Sequence, residues 1–281
     1  MINPQSPYHF LRRLLVAALL IGLCPAARAQ ATDTLTLIRQ LIQAGTAYRQ
    51  LPLYIEMEMK NTTNFMTGED DTASTTGSFY LLSHAAYVRM GEAEQLITDS
   101  MALVVSNKLE RMMLYKDGQA ALSQMKMPGG LSWQDSSATQ IAARYTLQRL
   151  SVDNSKEVYH ITDKRLLYGT TLPRESMELQ FEAGTHQPLA MIALKRTLVP
   201  LPAEDYSSLR QNTSLAGNLL NLGDKEYYLI REQKNSFIYK AISHDTGRKI
   251  PITMSDRVRP DSQGIYQPVE AYKHFVLSIH E

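Results

Sequence analysis

Hydrophobic residues follow two different periods along the chain. The first stretch has the three-and-four spacing of one apolar stripe on a helix, with apolar side chains at Leu35, Ile38, Leu41, Ile42 and Tyr48. Asp33 or Thr34 can cap this helix at its start. Leu51-Pro52 ends it, because the residue before a proline is pushed out of the helical region.

Beyond Pro52 the period changes to two. In Ile55–Lys60 the apolar residues alternate with charged ones, which is typical of an antiparallel sheet with one buried and one solvated face. Similar segments, separated by short turns, predict strands at Ser78–Ser83, Ala86–Met90, Gln95–Thr98, Ala102–Ser106, Arg111–Tyr115, Arg144–Leu150, Val158–Thr162, Met177–Glu182, Leu189–Lys195, Tyr227–Arg231, Phe237–Ser243, Ile250–Met254 and His274–Ile279. Such an order predicts a meander, in which strands pair with their neighbours along the chain.

Two stretches interrupt the strands. Ala120–Thr139 is irregular and contains Trp133, the only tryptophan, so it is predicted to be a functional or mobile loop. Glu204–Leu222 is predicted to be a helix, and Pro200 before it marks either a domain boundary or a crossing within one sheet. The fold class is therefore mainly β with a few helices (α+β), with residues 200–281 either completing the sheet or forming a small C-terminal subdomain.

The first 29 residues have the three parts of a secretory signal peptide. Arg12-Arg13 precede an apolar run from Leu14 to Leu23, and Ala27-Arg28-Ala29 form a cleavage site. The run is too short for a bilayer, which needs about 20 apolar residues. Cleavage after Ala29 would leave an exported chain that begins at Gln30. An uncleaved membrane anchor is the alternative.

Removal of this segment changes the charge and the cysteine count. The whole chain has 29 Lys+Arg and 28 Asp+Glu, and the segment carries three arginines and no acidic residue, so the mature chain has a formal charge of −2. This balance gives no reason to expect nucleic acid as a partner. The only cysteine, Cys24, lies in the segment, where its alternative role is a lipid anchor. Without it the mature chain has no disulfide and depends on its core for stability.

No motif identifies a catalytic or metal site, and no cofactor is predicted. Asp245-Thr246-Gly247 matches the aspartic protease signature, but it occurs once and is interpreted as a turn. The histidines lack zinc-site spacing. Glu69-Asp70-Asp71 lacks the distal glutamate of a calcium loop and is interpreted as a solvated loop. An unrecognised hydrolase using His244 or Asp245 remains an alternative.

Methionine is frequent, with 13 residues in the chain. Met57, Met59 and Met177 fall on the apolar face of predicted strands. Because methionine is flexible and polarisable, such a face can adapt to ligands of variable shape, including acyl chains. The competing interpretation is that methionine fills gaps in a packed core.

Two segments resemble the LolA/LolB superfamily of periplasmic lipoprotein carriers. The first runs from Gly77–Tyr80 through Tyr87–Met90 to Leu96–Ser100 and Val104–Asn107, and the second is the hairpin Glu178–Leu194. With the N-terminal helix, this pattern is similar to that family over about residues 34–200. The resemblance implies a half-barrel domain at residues 30–199, whose concave apolar face receives acyl chains beneath a helical lid. Carried over, that site consists of Leu35, Ile38, Ile42, Ile55, Met57, Met59, Met177, Leu179 and Phe181.

The resulting functional prediction is an exported, non-enzymatic protein that binds a lipid or other hydrophobic ligand. The expected location is the cell envelope, with the periplasm favoured over outer-membrane attachment or secretion. Expected partners are acyl-chain ligands, envelope proteins and, transiently, the membrane. The alternative is a structural or interaction module of the envelope whose sheet is filled by its own side chains.

Overall fold

The computed structural model describes residues 34–47, 50–68, 71–124, 138–153 and 155–280. The predicted signal segment, Cys24 and Trp133 lie outside these residues. The helices are α1 (Thr34–Ala47), α2 (Gly118–Gln124), α3 (Ala138–Arg144) and α4 (Ala203–Leu209), with 3-10 turns at Ala216–Asn218, Met254–Asp256 and Glu270–Tyr272. Within the described ranges, none of the helices has the length and hydropathy of a membrane span.

The strands form one large sheet and one small one. Their bounds are β1 (Leu53–Thr63), β2 (Ala73–Leu81), β3 (Ala85–Met90), β4 (Ala93–Thr98), β5 (Ala102–Ser106), β6 (Arg111–Tyr115), β7 (Tyr145–Asp153), β8 (Lys156–Asp163), β9 (Glu175–Glu182), β10 (Pro188–Leu201), β11 (Leu219–Asn221), β12 (Tyr227–Ser243), β13 (Val258–Pro260), β14 (Tyr266–Pro268) and β15 (Val276–His280). In the described part of the chain, β13 and β14 form a separate two-stranded sheet.

The large sheet joins two meanders through one central strand. Its order is β15-β6-β5-β4-β3-β2-β1-β12-β10-β9-β8-β7, with β11 attached to β12. All pairs are antiparallel except β15 with β6. The sheet is curved and its two end strands do not pair, so it is an open half-barrel, as the fold prediction stated. Residues 200–281 thus supply both the central strand and one edge of the same sheet.

Strand β12 corrects the prediction of two strands at Tyr227–Arg231 and Phe237–Ser243. The strand is continuous over 17 residues, because it pairs with β1 on one side and β10 on the other. The polar residues that seemed to separate two strands lie inside the ladder, where Glu232 accepts a hydrogen bond from Arg196 of β10 at 2.7 Å. Partners remote in sequence override the local polar pattern here.

Three other predictions of local structure are corrected. Ile250–Met254 is not a strand, because Ile250, Ile252 and Met254 pack onto the sheet instead of pairing with it. The predicted helix Glu204–Leu222 is shorter and ends at Leu209, where Asn212 forms a side-chain turn with Ser214 that replaces helical hydrogen bonds. The segment predicted as irregular at Ala120–Thr139 contributes residues to α2 and α3.

The two faces of the sheet have different covers. The helix-bearing face carries α1 and α3 over β7–β10 and α2 over β1–β5. The opposite face of β2–β6 is covered by the chain from Ile250 onwards, including Val258 and Phe275. Strands β3, β4 and β5 therefore bury side chains on both sides. This explains why the burial of β4 and β5 does not alternate strictly.

Candidate hydrophobic-ligand site

The six strand residues of the predicted site share the helix-bearing face. Cross-strand partners in an antiparallel ladder point to the same side, and the register gives the row Tyr159, Leu179, Met191, Phe237 and Met59 across β8, β9, β10, β12 and β1. Met57 lies opposite Tyr239 in the next row. One apolar row thus runs across five neighbouring strands.

These residues divide into two packed clusters. The first cluster joins α1 to the β7–β10 half of the sheet and contains Ile38, Ile42, Leu179 and Phe181 as buried members, with Leu35 and Met177 partly buried against it. The second cluster contains Ile55, Met57 and Met59, together with Phe79 and Tyr239. Phe237 packs against both clusters. The site residues therefore form two adjoining cores on one face.

Several members of this surface were absent from the predicted site. They are the helix residues Leu37 and Leu41 and the strand residues Leu147, Tyr159, Ile161, Met191 and Phe237. Leu41 is part of the helical stripe, and Ile161 alternates with the polar residues of β8, so both had a sequence signal. Phe237 had none, because its position depends on the insertion of β12 between β1 and β10.

A polar group interrupts the apolar face beside the central row. Asn235 lies opposite Ala193 of β10 and Asn61 of β1. It is two residues before Phe237 in β12, so both side chains are on the same face of the sheet. Its Oδ1 atom is buried and accepts no hydrogen bond from the residues that the structure describes. An acceptor buried without a partner costs about 1–3 kcal/mol.

An ionic network closes one end of the first cluster. The Asp163 carboxylate has no exposed side-chain surface and accepts hydrogen bonds from Arg165 at 2.8 Å and from Arg144 at 3.2 Å. Arg144 also donates to Glu175 at 2.8 Å. The hydrogen bonds from Arg165, followed by those from Arg144, lower the pKa of Asp163 to about 2. The carboxylate is thus held ionised at the rim of the apolar surface.

Tyrosine hydroxyls mark the polar margin of the same cluster. The Tyr159 ring meets the edge of Phe181 with centroids 5.8 Å apart, and its hydroxyl donates to Glu157 at 3.1 Å. Burial raises the pKa of Tyr159 to about 12. The side chain is therefore a neutral amphipathic group that lies between the core and the ionic rim.

The residues considered for catalysis have structural contacts. His244 is exposed and its Nδ1 donates to the carbonyl oxygen of Gln50 at 2.9 Å. The Asp245 carboxylate accepts from the backbone N–H of Gly247 at 2.8 Å, which is the contact expected of an Asp turn. Asp71, from the predicted acidic loop, pairs with Arg231, and backbone hydrogen bonding from Thr67 lowers its pKa to about 2.

In the part of the chain that the structure describes, no three His, Cys, Asp or Glu residues group as metal ligands would.

Structure comparison finds solved proteins that are similar to this chain at low TM-scores. A DUF1329 family protein from Desulfovibrio piger ATCC 29098 is 10% identical, with a TM-score of 0.30, 78% of this chain and 96% of that chain being covered. A domain assigned as an outer membrane lipoprotein-sorting protein, from Vibrio parahaemolyticus, is 10% identical with a TM-score of 0.25, and coverage is 75% and 93%. A LolA superfamily protein from Nitrosomonas europaea is 9% identical with a TM-score of 0.25, and coverage is 76% and 94%.

No protein-family model and no curated protein matches the sequence. A LolA superfamily protein, the family that the strand pattern resembles, is among the solved structures found. The class defined here is an open antiparallel half-barrel with helices on one face. Identities of 10% or less and these TM-scores leave the function to be argued from the residues.

Proposed function

We propose that the protein is an exported, non-enzymatic carrier that binds a lipid or other hydrophobic ligand on the helix-bearing face of its sheet. The observation that carries the proposal is the row Leu179, Met191, Phe237 and Met59, which links both apolar clusters across four adjacent strands. An elongated acyl chain matches such a row in shape and chemistry.

Methionine gives this surface its adaptability. Met57, Met59, Met177 and Met191 all lie on the helix-bearing face, and three of them are buried there. An unbranched thioether side chain can repack around ligands that differ in length or saturation. This composition supports a binder of variable acyl chains more than a binder of one rigid ligand.

Helix α1 is the proposed lid. It contacts the sheet through Leu37, Ile38, Leu41 and Ile42, which are each at most 6% exposed. At about 1.5–3 kcal/mol for each fully buried side chain, this contact is worth roughly 6–12 kcal/mol as an upper estimate. An acyl chain of about sixteen carbons contributes on the order of ten kcal/mol at ~0.8 kcal/mol per CH₂. The two terms are similar, so an acyl chain can replace the helix at little net cost.

The test is to weaken the lid and measure ligand uptake. Leu41→Ala removes one buried contact of α1 with a cost of about 2–5 kcal/mol, and Gln40→Ala changes an exposed position of the same helix as the matched control. We expect Leu41→Ala to bind a fluorescent fatty acid at least about tenfold more tightly than the control. Native mass spectrometry of the wild-type protein should also show a bound lipid.

The second candidate function is an envelope module with a filled core. It is favoured by the complete burial of Ile55 and Met57, which are 1% and 0% exposed. If Leu41→Ala lowers the melting temperature but neither variant takes up fatty acid, the core is sealed and the carrier proposal is wrong.

Export and location belong to the same proposal. We expect the secreted form to begin at Gln30, so its intact mass should lack residues 1–29 and Cys24. A mass that retains Cys24 with an added lipid would instead place the protein on a membrane. Fractionation of the cell envelope distinguishes the favoured periplasm from the outer membrane and the medium.

A further inference from the structure

A cavity lies away from the apolar face. It has a volume of about 330 Å³ and lies between the Arg165–Arg174 loop and the C-terminal half of β10. Its lining includes Glu175, Tyr168 and four cationic residues, which are Arg165, Arg174, Lys195 and Arg196. No lining residue belongs to either apolar cluster of the proposed carrier site.

Among the described residues, two of these cations have no carboxylate partner. Arg165 pairs with Asp163 at 2.8 Å and Arg196 with Glu232 at 2.7 Å, while Glu175 pairs with Arg144. Arg174 donates its Nε hydrogen to a backbone oxygen, that of Leu166, at 3.2 Å. Lys195 lies opposite Glu175 in the ladder, and no salt bridge joins the two in the described residues. The cavity therefore presents uncompensated positive charge.

The loop that lines one side of the cavity is held by its own backbone hydrogen bonds. Leu167 donates to Leu172 at 2.8 Å, and Arg174 donates to Arg165 at 3.1 Å. Gly169 has a φ of +70°, which suits glycine, and its Cα approaches the Leu222 side chain so closely that a Cβ would overlap it. The cationic side chains are thus attached to a fixed loop and a central strand, which lowers the entropy cost of binding.

We infer that this cavity binds a phosphate group. A guanidinium and an ammonium without a carboxylate partner in the described residues, at one cavity, are groups of the kind that proteins use to bind phosphate oxygens. The exposed Leu166, Tyr168 and Leu172 on the same loop lie beside the cavity, with exposures of 51%, 68% and 36%. The phosphate belongs either to a phospholipid headgroup, with these side chains in the membrane interface, or to a soluble phosphate monoester. The inference does not depend on acyl-chain binding.

The experiment uses the mature protein and two forms of phosphate. Calorimetry measures binding of glycerol 3-phosphate, and flotation measures binding to vesicles of phosphatidylcholine alone or of equal parts phosphatidylcholine and phosphatidylglycerol. The variants are Lys195→Gln and Arg174→Gln, with Lys195→Arg as the conservative variant. Lys108→Gln removes the same charge from an exposed turn outside the cavity and is the matched control.

We expect each glutamine variant to weaken phosphate binding about tenfold, which corresponds to one charge-assisted hydrogen bond. Lys195→Arg and Lys108→Gln should stay within about twofold of wild type. Binding of glycerol 3-phosphate alone identifies a soluble ligand, and binding of the anionic vesicles alone identifies a headgroup. Both results support the site. Equal loss in Lys195→Gln and Lys108→Gln, or no binding of either form by the folded wild type, overturns it.

Discussion

Replacing Glu94 by glutamine removes the charge partner of a buried guanidinium on the opposite face of the sheet. Arg257 donates to the same Glu94 oxygen from Nη2 at 2.8 Å and from Nε at 3.1 Å, and the side chains are 10% and 5% exposed. Its guanidinium also lies 4.7 Å from the centre of the Tyr272 ring. This pair connects β4 to the C-terminal segment that covers β2–β6.

The magnitude follows from the burial. Removing one partner of a buried ion pair costs about 3–5 kcal/mol, because the other charge stays desolvated. Glutamine keeps one acceptor oxygen for Arg257, so we expect the lower end, about 3 kcal/mol. For a domain of this size the melting temperature should fall by roughly 6–12 °C.

The assay is thermal and urea denaturation followed by circular dichroism. Glu270→Gln breaks the Glu270–Lys273 pair, whose side chains are 84% and 70% exposed, and serves as the matched control with no measurable change expected. The double variant Glu94→Met with Arg257→Met should regain most of the lost stability, since no charge remains buried. If Glu94→Gln is as stable as the control, the pair does not anchor the C-terminal segment.

Two further predictions concern the helix-bearing face. Because the pKa of Asp163 is lowered to about 2, its contribution to stability is present above the unfolded value near pH 4 and is lost as the pH falls toward 2. Asp163→Asn should therefore lower the free energy of unfolding by about 1–2 kcal/mol at neutral pH, and urea titrations should show this difference vanish near pH 2; a constant difference would contradict it. Gly118→Ala places a Cβ against the backbone of Thr98 and Met101, so α2 must shift at a cost of about 1–3 kcal/mol in the same denaturation assay. Gly217→Ala, with no atom within 4 Å, is its control, and equal stability of the two variants would contradict the close packing of α2.

The parts of the fold that depend on residues close together in the sequence could be predicted from it. Strands β3 to β6 lie within two residues of their predicted bounds, because alternation and tight turns such as the one at Gly91 are local signals. β12 could not be predicted as one strand, since its partners in β1 lie over 160 residues away and its polar centre is paired only in the folded sheet. The apolar residues of Ile250–Met254 alternate as in a strand, but the segment packs on the face of the sheet opposite the helices and pairs with no described strand.

In the candidate site, too, local features could be predicted from the sequence and long-range strand pairing could not. Alternation is enough to place Met57, Met59, Met177, Leu179 and Phe181 on one side of their strands. Their assembly into one row needs the register of β12, which brings Phe237 between Met191 and Met59. The phosphate cavity had no sequence signal, because Arg174 and Lys195 are brought together by a loop whose closure depends on backbone hydrogen bonds and on Leu222.

The helices on one face of the sheet and the C-terminal segment on the other are held by different kinds of contact. This difference determines which of them a hydrophobic ligand could displace. The C-terminal cover is tied down by a buried ion pair, and removing Arg257 from Glu94 would leave a desolvated carboxylate that no acyl chain can satisfy. Helix α1 packs through aliphatic side chains such as Ile38 and Leu41. Aliphatic contacts are non-directional and roughly proportional to area, so a hydrocarbon ligand can replace them. The proposed ligand exchange is therefore expected on the helix-bearing face.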